Sequence, residues 1–341
     1  MAESGGPVVC FGEILLRFGA RAGEILLQSP GLEVAVAGAE ANVAVNLARL
    51  GDAAAMVSLL PDNPLGHAAL GELRRWGVDV GRVGFGPGRM GLYFLTPGAG
   101  LRSAEVIYDR AGSAFAAADP AWADWDAALA GASWLHLSGV TPAIGANGAA
   151  AAQRAAAAAN RLGVPVSFDG NYRAKLWAGW PGDGPAILRQ LVAGADLAFV
   201  NDQDLGLILD RRFEAHDPAA RLRDAAAAAF GSFPRLARIA ATTRTRHDAS
   251  QDLSGALFTR GGMAYVTRTY ALAGVIDRIG AGDAFAAGLL HALMRGQTDE
   301  AALDFAVAAA CAKHWVRGDF NLASAEDIAG ILAQETRDVR R

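Results

Sequence analysis

The sequence predicts an α/β fold of three layers: a mainly parallel central sheet, helices on both its faces, and a small β-sheet lid. Three observations carry that prediction. From residue 134 onward, short apolar runs at 134–138, 165–169 and 197–201 alternate with helical runs at 147–162, 185–193 and 202–209. Strands separated by helices of this length pair in parallel and need cover on both faces. Second, two β-type runs at 90–96 and 104–108, split by Pro97-Gly-Ala-Gly100, interrupt the alternation as a hairpin does. Third, an apolar lead-in ends in the small-residue turn Gly280-Ala281-Gly282, followed by Asp283 and a run rich in Ala and Leu, which reads as a loop entering a buried helix.

The other elements follow in order. Residues 8–17 read as one buried strand, and 23–36 as short strands of an accessory sheet. Gly38-Ala39-Glu40-Ala41-Asn42 leads into a helix with Val43, Leu47 and Leu50 on one face, closed by Gly51. Residues 54–60 form the next strand, and 64–76 an amphipathic helix ended by Gly77. Beyond the regular middle, 236–243 is a strand, 256–259 and 265–269 pair around Gly261-Gly262, and 300–316 and 325–333 are closing helices. No linker, repeat or low-complexity tail divides the chain. Residues 1–341 are therefore expected to form one domain, with lid segments near 13–36 and 89–110.

Composition narrows the function. A chain of 341 residues, 52% hydrophobic, buries a large core. Its 31 basic and 35 acidic residues form no basic block, which argues against a nucleic-acid or acidic-membrane partner. Cys10 and Cys311 are the only cysteines, so no disulfide framework is expected. With no basic leader and no apolar run of bilayer length, the expectation is a soluble cytoplasmic protein. The only lysines, Lys175 and Lys313, follow no glycine, which excludes a P-loop. Phe285 stands where a dinucleotide fingerprint needs its third glycine. The six histidines have no metal-ligand spacing.

The chemistry concentrates at the turn. Backbone N–H groups at a helix start lack partners within the helix, and the dipole favours negative charge there. Gly280 and Gly282 permit close approach of a ligand, so Gly280, Ala281 and Gly282 are candidates to hold a transferring phosphoryl group. Asp283 stands where a carboxylate can take a proton from an attacking hydroxyl; the competing reading is a helix cap. Tyr93, Tyr108 and Arg110 lie on or beside the hairpin, as site groups or as ordinary strand aromatics and a solvated arginine.

Asp277-Arg-Ile-Gly-Ala-Gly-Asp283-Ala-Phe resembles the signature of the ribokinase-like (phosphofructokinase-B) sugar kinases. The resemblance implies a ribokinase-like fold, with Asp283 as catalytic base and the preceding amides as an anion hole for the γ-phosphate of ATP. Gly38-Ala-Glu-Ala-Asn42 is similar to the sugar-binding Gly-Gly-x-x-x-Asn loop of that superfamily, with Ala37 in place of the first glycine. Asp169-Gly-Asn171-Tyr-Arg173-Ala-Lys-Leu-Trp177 resembles a segment of its sugar-acid branch, implying that Asn171 and Arg173 bind phosphate or carboxylate. Asn201-Asp-Gln-Asp204 is similar to the Asn-x-x-Glu motif that organises Mg²⁺ through water, with Asp204 for Glu. Residues 242–254, including Thr243, stand where relatives have a nucleotide loop. Tyr108-Asp-Arg110 and Gly318-Asp319-Phe-Asn321 resemble sugar-acid contacts of 2-keto-3-deoxygluconate kinases.

The expected function is thus ATP- and Mg²⁺-dependent phosphorylation of the 6-hydroxyl of 2-keto-3-deoxygluconate. Gly38, Ala39, Glu40, Ala41, Asn42, Tyr93, Tyr108, Arg110, Arg173 and Asp319 are expected to bind the sugar acid. Asn171, Arg173, Asn201, Thr243, Gly280 and Gly282 are expected to bind nucleotide. The alternatives are a neutral-sugar or nucleoside kinase of the same superfamily and a sugar-binding regulator without catalysis. Exposed lid edges predict pairing between copies, hence a homo-oligomer.

Overall fold

Val8–Phe11 (β1) is a run of four residues with no exposure at all, and the rest of the molecule is laid around it. A computed structural model describes residues 5–99, 102–246 and 250–333. The other strands are β2 (Leu15–Gly19), β3 (Glu33–Ala37), β4 (Ala54–Pro61), β5 (Asp79–Gly86), β6 (Gly91–Thr96), β7 (Glu105–Asp109), β8 (Trp134–Ser138), β9 (Val166–Asp169), β10 (Leu197–Phe199), β11 (Arg238–Arg246), β12 (Ser250–Thr259), β13 (Ala264–Val266) and β14 (Tyr270–Ala273).

The main sheet runs β13-β12-β11-β10-β9-β8-β1-β4-β5, with β14 also on β12. Pairing is parallel from β5 across to β11 and antiparallel from β11 outward. Side chains alternate between faces with period two. Val8 and Cys10 therefore join one core, with the helices Ala39–Arg49, Ala281–Met294 and Asp299–Lys313; Val9 and Phe11 join the other, with Ala146–Leu162 and Gly184–Ala193. This is the expected three-layer arrangement. Each fully buried Leu or Phe on these faces stabilises the fold by about 1.5–3 kcal/mol. Among the described residues no helix is long and apolar enough to cross a membrane.

A separate four-stranded sheet has the order β3-β2-β6-β7. β2 and β6 pair in parallel, the outer pairs antiparallel. It is the predicted small sheet, and four features of the chain differ from expectation. The strand read at 8–17 is two strands in two sheets, because the chain leaves the main sheet after Phe11 and enters the small one at Leu15. β5 was not foreseen: Gly81, Gly84 and Gly86 make its sequence look like a turn. Residues 242–246 and 250–254 are not a loop but the outer parts of β11 and β12, paired from Thr242↔Gly255 to Arg246↔Gln251. The helix Pro218–Ser232, capped by Asp217 with proline in its first turn, was also unassigned. Gly100 in the predicted hairpin turn, and 247–249, lie outside the described residues.

Candidate active site

In an open parallel sheet, ligands bind beyond the carboxyl ends of the strands, where the strand order reverses. Here the chain runs outward from β1 to β4 and β5, then returns to β8 on the other side of β1. The carboxyl ends of β8, β9 and β10, the small sheet and the start of Ala281–Met294 surround a cavity of ≈ 830 Å³. It is lined by Gly38, Ala39, Asn42, Tyr93, Tyr108, Arg110, Asn171, Arg173, Asn201, Asp204, Gly280, Ala281, Gly282, Asp283 and Asp319. Sites predicted from stretches as distant as 38–42 and 318–321 thus meet in one place.

Asp283 sits in the first turn of a helix that no side chain caps, so the cap reading of Asp283 fails. Gly280 precedes it with φ 83°, and a Cβ there would stand 2.0 Å from Asp319 O. Only glycine meets both constraints. Gly38 plays the corresponding part before Asn42: its φ is 145°, and a Cβ would lie 2.3 Å from Glu13 O. Asn42 Nδ2 donates to Asp283 Oδ2 at 2.6 Å. Asn42 Oδ1 is buried and has no partner among the described residues. Burial pushes the Asp283 carboxyl up to about 8; the Asn42 hydrogen bond opposes this, and the charges of Asp169, Asp319 and Glu40 add to it. A carboxyl near neutrality is suited to general-base work. At the helix start the amide of Ala281 donates to Arg278 O at 3.3 Å, so the amides of Gly282 and Asp283 are the better-placed donors for an anion.

The small sheet forms the facing wall. Arg17 is opposite Tyr93, and Tyr93 opposite Tyr108, so the three share a face. Asp319 is locked by this wall: Arg17 Nη1 donates to its Oδ1 at 3.0 Å and Tyr93 OH to its Oδ2 at 2.7 Å. Arg17 also pairs with Asp277 at 2.7 Å. Arg110, read as a solvated or substrate-facing cation, is buried, and its Nε donates to Glu13 Oε2 at 2.5 Å. Ser113 Oγ donates to the other Glu13 oxygen. Arg17 and Glu13 are not among the expected site residues; their partners lie about a hundred to three hundred residues away in the chain, and no local motif marks them, whereas Asp277 opens the signature segment but carries no expected role.

Other expectations are corrected. Glu40 and Ala41 are buried in the body and do not line the cavity. Glu40 Oε1 accepts from Ser138 N, Ser138 Oγ and Thr141 Oγ1 at 3.2, 2.8 and 2.7 Å, so it ties the helix Ala39–Arg49 to the end of β8. Thr243 is exposed on β11 and also off the cavity; its neighbour Arg244 lines it. Asn201 and Asp204 form a capping box: Asn201 Oδ1 accepts from Gln203 N and Asp204 N, and Asp204 Oδ2 from Asn201 N. Asp169, not among the expected site residues, lines the cavity between them and Asp283. Burial raises its carboxyl to about 7, against the pull of Arg173 and with a push from Asp204. Asn171 holds a left-handed φ of 37°, and its N–H donates to Asp169 Oδ1 at 3.0 Å, a local turn that Asn tolerates. Among the described residues no cluster of three His, Cys, Asp or Glu side chains could hold a metal.

The profile of the pfkB family carbohydrate kinases matches residues 7–320. The chain is 32% identical over 325 residues to a 2-dehydro-3-deoxygalactonokinase of Haloferax volcanii, covering 95% of this chain and 96% of that one. It is 29% identical over 322 residues to fructokinase-2 of Solanum habrochaites, covering 91% and 90%. Among solved structures, a 2-dehydro-3-deoxygluconokinase of Thermotoga maritima superposes with a TM-score of 0.90 at 35% identity, covering 96% of this chain and 99% of that one.

Proposed function

We propose, on the premise that this chain belongs to the PfkB family of carbohydrate kinases and is an ATP-dependent sugar kinase, that its acceptor is 2-keto-3-deoxygluconate, phosphorylated at the 6-hydroxyl. The observation that carries the reading is one cavity lined by groups of different character: a buried base, Asp283, at an uncapped helix start, and a buried guanidinium, Arg110, with Tyr108.

Asp283 takes the proton of the 6-hydroxyl as its oxygen bonds to the γ-phosphorus and the bond to ADP breaks. Such a transfer needs positioning and electrostatics more than covalent help. The N–H groups of Gly282 and Asp283 meet the charge on the transferring group. Asn42 orients the base through Nδ2 and accepts a sugar hydroxyl at its unpartnered Oδ1. Arg110 and Tyr108 receive the carboxylate. Asn171, Arg173, Asn201 and Arg244 face the phosphates of ATP from the other side of the cavity. Asp169 and Asp204 supply two oxygen donors there, a set that suits Mg²⁺, which binds through one or two carboxylates together with phosphate oxygens and water. Held there, Mg²⁺ would neutralise charge on the phosphates. The enzyme works in the cytoplasm, and the exposed Val34 and Ile107 of the small sheet are where two copies pair, a point that sedimentation velocity tests.

The pairing of Arg110 with Glu13 favours a second reading, a neutral sugar such as fructose, because the charge of the guanidinium is already balanced. Initial rates with 2-keto-3-deoxygluconate, its galacto epimer and fructose decide. The acid should have the higher kcat/KM, and a preference for fructose would overturn the acid assignment.

A further inference from the structure

Lys313 is a buried cation that the reaction above does not use. It ends the helix Asp299–Lys313, has no exposure, and is one of only two lysines in the chain. Burying an ammonium is costly unless it is well partnered. Its partners are backbone carbonyls: Nζ donates to Val316 O at 2.8 Å and to Asp277 O at 3.2 Å. Asp277 opens the turn that leads to Asp283. The same segment is stitched to the helix end by Ile276 N and Asp277 N, both donating to His314 O, at 2.8 and 3.2 Å. Asp277 also accepts from Ile279 N and Gly318 N through its two carboxylate oxygens, at 3.0 and 3.2 Å. The lysine stem lies against Gly280: its Cε is 3.3 Å from where a Cβ on that glycine would stand. Burial pulls the Lys313 pKa down, while the Asp277, Asp319 and Asp283 carboxylates pull it up. A compact ammonium, unlike a guanidinium fork, fits between two carbonyl oxygens as a point charge. The helix C-terminus adds negative potential at the same spot.

We propose that Lys313 is a positioning residue for phosphoryl transfer: its ammonium is a tethered monovalent cation that clamps the carbonyls of Asp277 and Val316 beneath Gly280 and so fixes the anion-binding amides. The wild-type enzyme then has no need of an added monovalent cation, because the position is filled by the chain itself. The inference rests on the assignment of the Gly280 turn as the phosphoryl site and is independent of which sugar is the acceptor.

The tests separate charge from shape. Lys313→Met keeps the stem and removes the cation; Lys313→Gln keeps donors for the carbonyls without the charge. Both should lose up to about 100-fold in kcat, the effect of a slightly misplaced reacting group, with KM for the sugar within about twofold of wild type. Ammonium or potassium chloride should restore part of the loss in Lys313→Met at constant ionic strength, and tetramethylammonium chloride should not. Wild-type turnover should be the same in sodium, potassium and tetramethylammonium salts. ATP affinity by calorimetry and hydrogen exchange over 276–284 are measured without sugar. In Lys313→Met they should show weaker binding and faster exchange, so they judge the clamp even if no tested sugar is phosphorylated. Strong activation of the wild type by potassium would overturn the proposal, and so would a Lys313→Gln enzyme with full kcat. If Lys313→Met does not fold, the wild-type salt series and Lys313→Gln still decide.

Discussion

Two asparagines, Asn42 and Asn201, both line the cavity and are built into it differently. Asn42 is buried, donates to the base at 2.6 Å and keeps an unpartnered oxygen. Asn201 is exposed and spends its oxygen on two backbone N–H groups of its own helix. The contrast extends to their neighbours. Around Asn42, Asp283, Asp319 and Arg110 are buried and held by partners from distant parts of the chain. Around Asn201, Arg173 and Gln203 are less enclosed, and Asp204 is tied only to the helix start. The Asn42 side, the proposed sugar side, is therefore organised before anything binds, in a low-dielectric surrounding where each hydrogen bond and charge counts for more. On the same proposal the Asn201 side is left for the nucleotide to organise. Substitutions on the first side should be severe and change the chemistry, and those on the second mild and confined to nucleotide affinity.

The largest effect is expected at the base. Asp283→Asn should lower kcat by about 10² to 10⁴-fold, the worth of a positioned general base, while ATP and sugar affinities by calorimetry stay close to wild type. The same variant carries a stability signature. The folded carboxyl is pushed up to about 8 from an ordinary 3.8, so the folded state holds its proton more tightly than the unfolded chain does. Its contribution is complete below pH 3.8 and is lost as pH rises through about 8. Asp283→Asn removes that loss and should melt higher than wild type in alkaline buffer, with no gain in acid. Near-normal turnover would break the contrast at its strongest point.

Next in size is the reading of the carboxylate. Removing Arg110 alone leaves Glu13 as an unpaired buried charge, which costs roughly 3–5 kcal/mol of fold stability and obscures the result. The paired substitution Arg110→Met with Glu13→Gln removes both charges. If Arg110 receives the carboxylate, the double variant should lose roughly 30-fold to several thousand-fold in kcat/KM for the sugar acid, from about 2–5 kcal/mol for a buried charge contact. Fructose should be little affected. Equal losses on both substrates would show that the Arg110–Glu13 pair is only a strut between the small sheet and the body.

Asn42→Ala sharpens the comparison through pH. Its hydrogen bond opposes the raised pKa of Asp283, so its removal should move the acid limb of kcat/KM from about 8 to higher pH. The base must be deprotonated to work, so the rate falls below the new limb, roughly tenfold for each pKa unit moved, and recovers above it. A loss that is constant with pH would mean that Asn42 holds the sugar without tuning the base.

What was legible in the sequence follows the same division. The parallel sheet, the small sheet and the Asp283 helix were readable because periodicity and glycine placement are local signals. Asn42, Asn171, Arg173 and Asp283 were readable as residues that line one cavity because a short motif carries each. Glu40 was misplaced because it lies inside the segment that resembles a sugar-binding loop, whereas here it is needed to accept from Ser138 and Thr141 inside the body. Arg17 and Glu13 were missed because their partners come from the far end of the chain and from beyond the hairpin. The extent of β11 and β12 was missed because a polar, threonine-rich stretch reads as a loop when its antiparallel partner is not considered.

The smallest effect is expected at Asn201. Alanine there removes the acceptor for Gln203 N and Asp204 N and leaves the other half of the capping box, the bond from the backbone N–H of position 201 to the Asp204 carboxylate. Loss of such a cap costs about 0.5–2 kcal/mol; the site is exposed, so water replaces part of what is lost and the lower end is expected. The helix it caps, Asp202–Leu209, is short and starts at the cavity rim. Its fraying displaces Gln203 and Asp204 from the phosphates and leaves Asp283, Asn42 and Asp319 in place. KM for ATP should therefore rise a few-fold while KM for the sugar and the pH limb set by Asp283 do not move. Rates at varied ATP and fixed sugar, then the reverse, measure this directly. A large drop in kcat with unchanged KM for ATP would show that Asn201 acts in the transition state. The nucleotide side would then be as preorganised as the sugar side, and the contrast between the two asparagines would be one of exposure alone.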